Sequence, residues 1–312
     1  MLQILHGTNI DFMGKRKFAY AFSALMILIS AASLIAHGGP RLGIDFTGGV
    51  LMQVNFGQAV PIGDVRSTVD RAGFSGSELQ AIAGTNTIMI RVHQREAGSD
   101  AGERIRTALS ARFPGNPITV GGQEYVGPKI GKELGQKATY AIVGALGMIL
   151  IYIAIRYEWK FALGAVLALA HDVFITLGVL SLCNKEFTLT VMAALLTIAG
   201  YSNNDTIVVL DRIRERAKVL RREALARVIN VSVNETLSRT VITSLTVTLT
   251  VLALFIFGGE VIHDFSFAML IGVVFGTYSS VYVASALALD ITLSRMKEST
   301  APGAARKVPA KG

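Results

Sequence analysis

The stretch 187–210, FTLTVMAALLTIAGYSNNDTIVVL, decides the fold of this chain. It is long enough to cross the apolar layer of a bilayer, which takes about 20 helical residues. A polar cluster that includes Asp205 interrupts it, and the apolar residues Ile207–Leu210 follow that cluster. At about 1.5 Å per helical residue, Asp205 lies about 7–8 Å inside the inner edge of the span. The pattern therefore predicts a membrane helix that carries a carboxyl group within the hydrocarbon layer.

Five further apolar stretches of similar length occur. Of the 312 residues, 51% are hydrophobic and 17% charged, and the mean hydropathy of +0.49 is too high for a soluble protein of this length. The first stretch follows Lys15, Arg16 and Lys17, a basic start that a cleaved signal peptide also has. It is longer than most signal-peptide cores and no A-x-A site follows it, so we interpret it as a retained anchor. The six predicted transmembrane helices are Phe18–Ala36, Ala138–Ile155, Phe161–Leu182, Phe187–Leu210, Thr240–Gly258 and Phe265–Leu289.

Basic residues predict the orientation of these helices, because segments rich in Lys and Arg stay in the cytoplasm. Such residues precede the first span, fill the segment Arg212–Arg239 and recur in the tail 291–312. The short segments on the other side, Cys183–Glu186 and Gly259–Asp264, carry Lys185 as their only basic residue. We therefore predict two cytoplasmic termini. The net charge of +8 then reflects topology, and we expect no nucleic-acid partner.

The basic loop Arg212–Ser238 has the apolar spacing of a helix. One interpretation is a solvated face that sets the orientation, and the other is a helix lying on anionic membrane lipids or against a partner.

The polar segment 37–137 is long enough to fold alone. Strand patterns at Val50–Phe56, Glu78–Ala83, Thr87–Val92 and Ile118–Val126 alternate with helical patterns at Ile62–Ala72 and Glu103–Arg112. This β-α-β-β-α-β order is that of a ferredoxin-like sandwich. The predicted fold class is an α-helical membrane protein with six transmembrane helices and an extracytoplasmic α+β ferredoxin-like domain between the first and second. The predicted organisation is a cytoplasmic N-terminus (1–17), helix 1 (18–36), a periplasmic domain (37–137), helices 2–6 (138–290) and a disordered cytoplasmic tail (291–312).

Ionisable groups inside a span are candidates for function, because charge in hydrocarbon is costly. Asp205 with its neighbour Asn204 is the first candidate, although a polar helix end that frays at the interface is the alternative. Arg239 opens the fifth span and is either a counter-charge to Asp205 or an arginine reaching back to the interface. His171 and Asp172 lie midway along the third span. Adjacent helical residues point about 100° apart, so we expect only one of them to face Asp205, as a proton relay or as a structural contact.

The sequence contains no motif typical of an enzyme active site. The glycine-rich stretch Gly43–Gly49 lacks the GKS/T end of a phosphate-binding loop and is predicted to be a tight turn. The single Cys excludes a disulfide framework, and the five His have no zinc-ligand spacing. We therefore expect no enzyme activity, no metal and no cofactor, with the proton gradient as the energy source; one charge crossing 100 mV is worth about 2.3 kcal/mol. The Gly272–Gly276 pattern predicts close helix packing within the bundle.

Several sequence motifs together resemble one family. With its GIDFTGG and HDV motifs, its GYSxND run and the stretches that follow, the chain is similar to the SecF subunits of the bacterial SecDF protein-export factor, in the resistance-nodulation-division superfamily. Asn203 departs from the family pattern, where an aliphatic residue is more usual, and is expected to add a hydrogen bond near the proton site. The motifs are Gly43–Gly49, His171–Val173, Gly200–Asp205, Thr206–Glu215, Ser238–Ser244 and Ile271–Leu289.

This resemblance implies a function and a set of partners. It implies a subunit of the bacterial inner membrane that pairs with SecD and associates with the SecYEG channel and accessory translocon proteins. It implies that the proton-motive force helps to draw exported unfolded polypeptides outward after ATP-driven insertion. It also implies that Asp205 and Arg239 take part in proton passage, and that the outer domain contributes to the surface that handles the emerging preprotein.

Two other functions compete with this one. The first is a scaffold or insertase-type partner of a translocon, in which the intramembrane charges only orient helices. The second is half of a small-molecule transporter. That class is expected to have large outer domains in two repeated halves, which a chain with six spans and one modest domain does not match.

Overall fold

The structure, a computed structural model, describes residues 8–82, 84–93, 100–157 and 159–300. It divides into two compact units, one formed mainly by 42–141 and the other by the long helices. The helices are α1 (Arg16–Ala36), α2 (Ile44–Thr47), α3 (Ile62–Arg71), α4 (Ala101–Arg112), α5 (Pro128–Arg156), α6 (Trp159–Leu182), α7 (Leu189–Val219), α8 (Leu225–Phe257), α9 (Glu260–Tyr278), the π-helical turn Ser279–Ala284 and α10 (Ser285–Thr300). The strands are β1 (Gly49–Phe56), β2 (Glu78–Ala81), β3 (Thr87–His93) and β4 (Ile118–Val126).

The smaller unit contains the predicted α+β domain. Its four strands lie in the order β2-β3-β1-β4, and every neighbouring pair is antiparallel. Together with α3 and α4 this gives the β-α-β-β-α-β order expected of a ferredoxin-like sandwich. The predicted second strand, Glu78–Ala83, ends earlier at Ala81, and residue 83 lies outside the described residues. The GIDFTGG stretch forms the one-turn helix α2 before β1 rather than a tight turn alone, and Gly48 and Gly49 then take positive φ angles of 74° and 143°.

The core of this domain follows from strand alternation, which sends every second residue of β1 to one face of the sheet. Val50, Met52, Val54 and Phe56 are buried on that face. They pack in one cluster with apolar residues of the two covering helices. The helix residues in this cluster are Val65 and Val69 of α3 and Ala101, Ile105 and Leu109 of α4.

Phe74 provides a test of this core. The ring is fully buried and the guanidinium of Arg104 lies 4.8 Å from its centroid. Phe74→Ala is expected to lower the free energy of unfolding of the domain by about 3–5 kcal/mol, because it leaves a cavity. Hydrogen exchange of the β1 amides in the full chain measures this, with Ile62→Ala at a 37% exposed position as control. Equal exchange rates in the two variants would contradict the assignment of Phe74 to the core.

The predicted membrane helices lie mainly in the larger unit. Among the residues that the structure describes, five helical segments are long and apolar enough to span a bilayer. The prediction of six is therefore not confirmed by length and composition. The stretch 187–210 does form a helix, α7. That helix is not among the five because the polar residues 201–205 lower its hydropathy. The five segments are Arg16–Ala36, Lys129–Arg156, Phe161–Leu182, Leu225–Phe257 and Ile262–Ser294.

The helix ends differ from prediction. Helix α5 begins at Pro128, ten residues before the predicted start, and its first turns belong to the smaller unit. The predicted loop Arg212–Ser238 is almost entirely helical, with only residues 220–224 lying between α7 and α8. Its helical character is confirmed, but its description as a loop is wrong. The charged residues stay within helices because Arg212 and Arg216 of α7 both pair with Glu235 of α8.

The chain end also differs from prediction. The sixth predicted span continues from α9 through the π-helical turn into α10, which ends at Thr300. The prediction of a disordered tail is therefore wrong for residues 291–300, and residues 301–312 lie outside the described residues.

The segment before α1 is attached to α8 through paired side-chain and backbone groups. Asn234 accepts from the backbone N–H of Ile10 and donates to its carbonyl, each at 2.9 Å. Asn230 accepts from the N–H of Met13 and donates to the carboxylate of Asp11. The backbone N–H of Gly14, and then this Asn230 amide, lower the pKa of the Asp11 carboxyl. The predicted N-terminal segment is thus ordered from residue 8, and residues 1–7 lie outside the described residues.

Candidate functional site

Asp205 lies on α7 and is almost fully buried, with 5% of its surface exposed. Its Oδ1 accepts a hydrogen bond from the Thr240 hydroxyl of α8 at 2.6 Å. Its Oδ2 accepts one from the Ser280 hydroxyl of the π-helical turn at 2.5 Å. The carboxyl is therefore held by neutral hydroxyl groups from two other helical segments, which excludes a frayed helix end at this position.

Asp172 is a second buried carboxyl, on α6, with no exposed surface. Its Oδ2 accepts from the hydroxyls of Ser202 and Ser279, both at 2.6 Å. Its Oδ1 lies 2.9 Å from Nδ1 of His171. Ser202 lies on α7 only three residues before Asp205, yet it points to Asp172. Three residues along a helix rotate the side chain by about 300°, which is enough to bring Ser202 against the neighbouring α6.

The π-helical turn joins these two carboxyls. Ser279 donates to Asp172 and the adjacent Ser280 donates to Asp205. Both serines are fully buried. A π-helical turn within an α-helix is rare and is frequently found at functional sites.

Close helix packing holds this turn near α7. A Cβ atom at Gly272 would lie 2.2 Å from the Ile198 side chain, and one at Gly276 would lie 3.1 Å from the Cβ of Ser202. The glycines thus let α9 approach α7 closely, which confirms the packing role predicted for the Gly272–Gly276 pattern.

His171 extends the network to α1. Its Nε2 lies 3.1 Å from the Ser23 hydroxyl, which in turn lies 3.0 Å from the Tyr278 hydroxyl. Tyr278 donates to the carbonyl of Ala19 at 2.7 Å. His171 and Asp172 contact each other. Asp172 is connected to Asp205 only through the adjacent serines Ser279 and Ser280, so the expectation that one of the two faces Asp205 stays a prediction.

The other sequence candidates lie outside this network. The Arg239 side chain is exposed, and among the described residues it forms no ion pair or hydrogen bond with Asp205. The position of a direct counter-charge is taken by the hydroxyl of the next residue, Thr240. Asn204 is exposed, and the structure describes no hydrogen bond from the Asn203 side chain to the site.

The residues that sequence reasoning missed are the hydroxyl donors. Thr240 and Ser280 are ordinary polar residues in apolar stretches, and only the helix packing selects them as partners of Asp205. The weak signal for Ser279 and Ser280 is the adjacent pair of hydroxyl residues midway along a long apolar run. Among the described residues, no group of three or more His, Cys, Asp or Glu is placed to hold a metal ion.

Comparison with known proteins gives consistent matches over nearly the whole chain. A family model described as the C-terminal part of protein export membrane proteins SecD/SecF matches residues 111–294, and one for the SecD/SecF GG motif matches residues 33–60. The protein translocase subunit SecF of Calditerrivibrio nitroreducens is 46% identical, with 91% of this chain and 94% of that protein covered. SecF of Endomicrobium trichonymphae is 41% identical, with 92% of each covered.

A solved structure also matches. The crystal structure of SecDF from Thermus, a translocon-associated membrane protein, has a TM-score of 0.82 and 39% sequence identity to this chain. The match covers 94% of this chain and 39% of the SecDF chain. This chain therefore spans about two fifths of the length of that protein.

Proposed function

This chain belongs to the SecF family of protein translocase subunits, multi-pass proteins of the inner membrane with a role in protein export, and we propose that it couples export to the proton-motive force. In this proposal the chain works together with SecD, at the SecYEG channel and its accessory proteins, on exported unfolded polypeptides. Its energy source is the proton gradient, and it needs no cofactor.

The observation that carries this proposal is the setting of Asp205. A carboxyl group in the hydrocarbon layer costs several kcal/mol unless other groups compensate for the lost hydration. Here the compensation comes from two hydroxyl groups, at 2.6 and 2.5 Å. A hydroxyl can donate to a charged carboxylate and can also accept from a protonated one. The site can therefore hold Asp205 in both protonation states, as proton loading and release require.

Two observations support the proposed pairing with SecD: the greater length of the SecDF chain and the exposed apolar residues of this chain. The SecDF chain of known structure is more than twice as long as this one, which covers 39% of it. The membrane-facing stretches of α5 and α8 leave most of their apolar residues exposed, which suits contact with lipid and with a second membrane subunit. We also propose, from the distribution of Lys and Arg, that both termini are cytoplasmic and that the α+β domain is periplasmic.

Export from reconstituted vesicles tests the proposal. Vesicles that contain the channel, SecD and this chain are expected to export a preprotein faster when a proton gradient is imposed. A protonophore is expected to remove that increase. This chain could instead increase the export rate by the same factor with and without the gradient. That result would favour the alternative, a scaffold or insertase-type partner that is not coupled to protons.

Arg239 provides a separate prediction. The Arg239 side chain is exposed and forms no described ion pair with Asp205. If gradient-dependent export needs Arg239, it therefore needs the positive charge near the site and not a bidentate contact, which only arginine can make. Arg239→Lys is therefore expected to keep at least half of the gradient-dependent export, and Arg239→Gln to lose most of it. The same export assay measures both variants. If Arg239→Gln exports at the wild-type rate, Arg239 only anchors α8 at the interface.

A further inference from the structure

We propose that His171 and Asp172 bind one proton as a pair, forming a second proton-binding site that titrates together with Asp205. This inference rests on the proposed function, since it adds a second site to the same proton pathway. It follows from the direction of the hydrogen bonds that connect α6 to α1.

The direction of these bonds is fixed at Tyr278. The phenol has a single hydrogen, and it is donated to the carbonyl of Ala19, which can only accept. The Tyr278 oxygen is therefore the acceptor in its 3.0 Å contact with Ser23, so the Ser23 hydroxyl donates its only hydrogen there. The Ser23 oxygen must then accept from His171, which requires a hydrogen on Nε2 of the imidazole.

This requirement determines the proton count of the pair. With a hydrogen on Nε2, the 2.9 Å contact between Nδ1 of His171 and Oδ1 of Asp172 needs one more proton between the two atoms. That proton lies either on Nδ1, giving imidazolium and carboxylate, or on Oδ1, giving neutral imidazole and carboxylic acid. The Oδ2 atom already accepts from Ser202 and Ser279, so it is not the protonated oxygen. In both forms the pair has gained one proton relative to neutral histidine and a carboxylate.

Release of the proton reverses the direction of the hydrogen bond between His171 and Ser23. The neutral histidine then keeps its hydrogen on Nδ1, facing the Asp172 carboxylate, and Nε2 becomes an acceptor. Ser23 must turn its hydrogen from Tyr278 to His171. Proton exchange at α6 therefore changes the hydrogen bonding of α1.

The link to Asp205 runs through the π-helical turn. Ser279 has two acceptors for its single hydrogen, the Asp172 carboxylate at 2.6 Å and the Gly276 carbonyl at 3.1 Å. Ser280 has the same choice between Asp205 at 2.5 Å and the Thr277 carbonyl at 3.0 Å. A charged carboxylate attracts the hydroxyl hydrogen more strongly than a neutral carboxyl does. Because the two serines are adjacent, a change of charge at one aspartate alters the position of the donor to the other.

Few other titratable groups surround the pair. The Tyr278 ring lies 6.2 Å from the imidazole of His171, and Asp205 lies on the facing helix α7. On α1 the nearby partner is the neutral Ser23. Among the described residues, no Lys or Arg forms an ion pair with either aspartate. Arg239 is exposed and acts on Asp205 through its charge, without a direct contact. In this proposal the two carboxyls and the histidine titrate as a coupled set.

Nitrogen NMR of the full chain with SecD in lipid vesicles, with ¹⁵N-labelled histidine, tests the pair directly. As the pH is lowered, we expect a hydrogen to appear on Nε2 of His171, with Nδ1 either protonated or accepting a strong hydrogen bond. A His171 that stays neutral with its hydrogen on Nδ1 at every pH at which the complex remains folded would overturn the proposal. The signal is identified by its loss in His171→Gln. If that variant does not fold, a chain in which the other four histidines are replaced identifies it instead.

Infrared titration of the Asp205 carboxyl band, identified by its loss in Asp205→Asn, tests the coupling. In the wild-type chain we expect the Asp205 band to change over a wider pH range than a single independent group would show. Asp172→Asn and Ser279→Ala are each expected to narrow that pH range to the width of a single group. Ser266→Ala is the matched control, because Ser266 is a buried serine of α9 whose hydroxyl has no described hydrogen-bond partner. A single-site curve in the wild type would overturn the coupling.

Neither measurement depends on export, so the outcomes separate the two proposals. If His171 and Asp172 hold a shared proton but export does not depend on the proton gradient, only the proposed function is contradicted. Gradient-dependent export together with a His171 that stays neutral and Nδ1-protonated at every pH would contradict only the inference made here.

Discussion

Asp205→Asn is expected to remove the whole gradient-dependent part of export while leaving the gradient-independent part unchanged. Asparagine has nearly the same shape as aspartate but cannot take up or release a proton in this range. The Thr240 and Ser280 hydroxyls contact different oxygens of Asp205, so in the variant one of them can donate to the amide oxygen and the other can accept from the amide NH₂. The variant is therefore expected to fold and to copurify with SecD in wild-type amounts. One charge crossing 100 mV releases about 2.3 kcal/mol, which corresponds to about a fifty-fold change in an equilibrium constant. At that voltage, fifty-fold per proton is therefore the upper limit of the export that Asp205→Asn can lose.

Asp211→Asn is the matched control for this prediction. It makes the same change on the same helix, but Asp211 is partly exposed and pairs with Arg156 at 3.0 Å. Exposed pairs of this kind contribute about 0–1 kcal/mol, so we expect wild-type export. Equal losses in Asp205→Asn and Asp211→Asn would mean that any change on α7 disturbs the protein. A loss confined to Asp205 that appears only under a gradient supports proton coupling.

Gly178→Ala is expected to destabilise the packing of α1 against α6. Helices α1 and α6 meet at this residue so closely that an added Cβ would lie 2.1 Å from Cβ and Oγ of Ser30 and 2.5 Å from its Cα. Because the Ser30 backbone lies in the way, a side-chain rotation cannot relieve the contact and the helices must move apart. Overpacking of this kind costs about 1–3 kcal/mol. We expect a lower thermal midpoint in detergent, and a weaker contact between His171 and Ser23 across the same helix pair.

A double variant and a control identify the cause of this effect. Gly178→Ala combined with Ser30→Gly is expected to recover part of the lost stability, because it removes the Cβ and Oγ of Ser30 that the new methyl group meets but leaves the Ser30 Cα, 2.5 Å from the new methyl group, in place. Gly147→Ala on α5 adds the same methyl group where nothing lies within 4 Å, and is expected to leave the midpoint unchanged or slightly raised. Additive losses in the double variant would show that the two residues do not press on each other.

The sequence predicted most of the fold because hydrophobic periodicity determines which elements form. The run of β-favouring residues at Val50–Phe56 predicted β1, and the apolar run Phe18–Ala36 predicted α1 to within two residues. Helix ends were less predictable. The loop Arg212–Ser238 was predicted from its charges, but pairing of Arg212 with Glu235 satisfies those charges within two helices.

The site was only half predictable. Asp205, Asp172 and His171 stand out because charged groups are rare in apolar stretches. Their partners Thr240 and Ser280 do not stand out, since a hydroxyl residue can satisfy its own helix by bonding to a backbone carbonyl. Arg239 was a plausible counter-charge by position along the chain, yet the residue next to it, Thr240, is the one that points to Asp205.

Proton movement during export tests the central claim most directly. Vesicles that contain the channel, SecD and this chain are loaded with a pH-sensitive dye, and a membrane voltage is applied while a preprotein is being exported. We predict proton uptake that rises with the export rate in the wild-type complex and stays at background in Asp205→Asn. Export driven by the voltage without uptake above background, or equal uptake in the two complexes, would contradict the account.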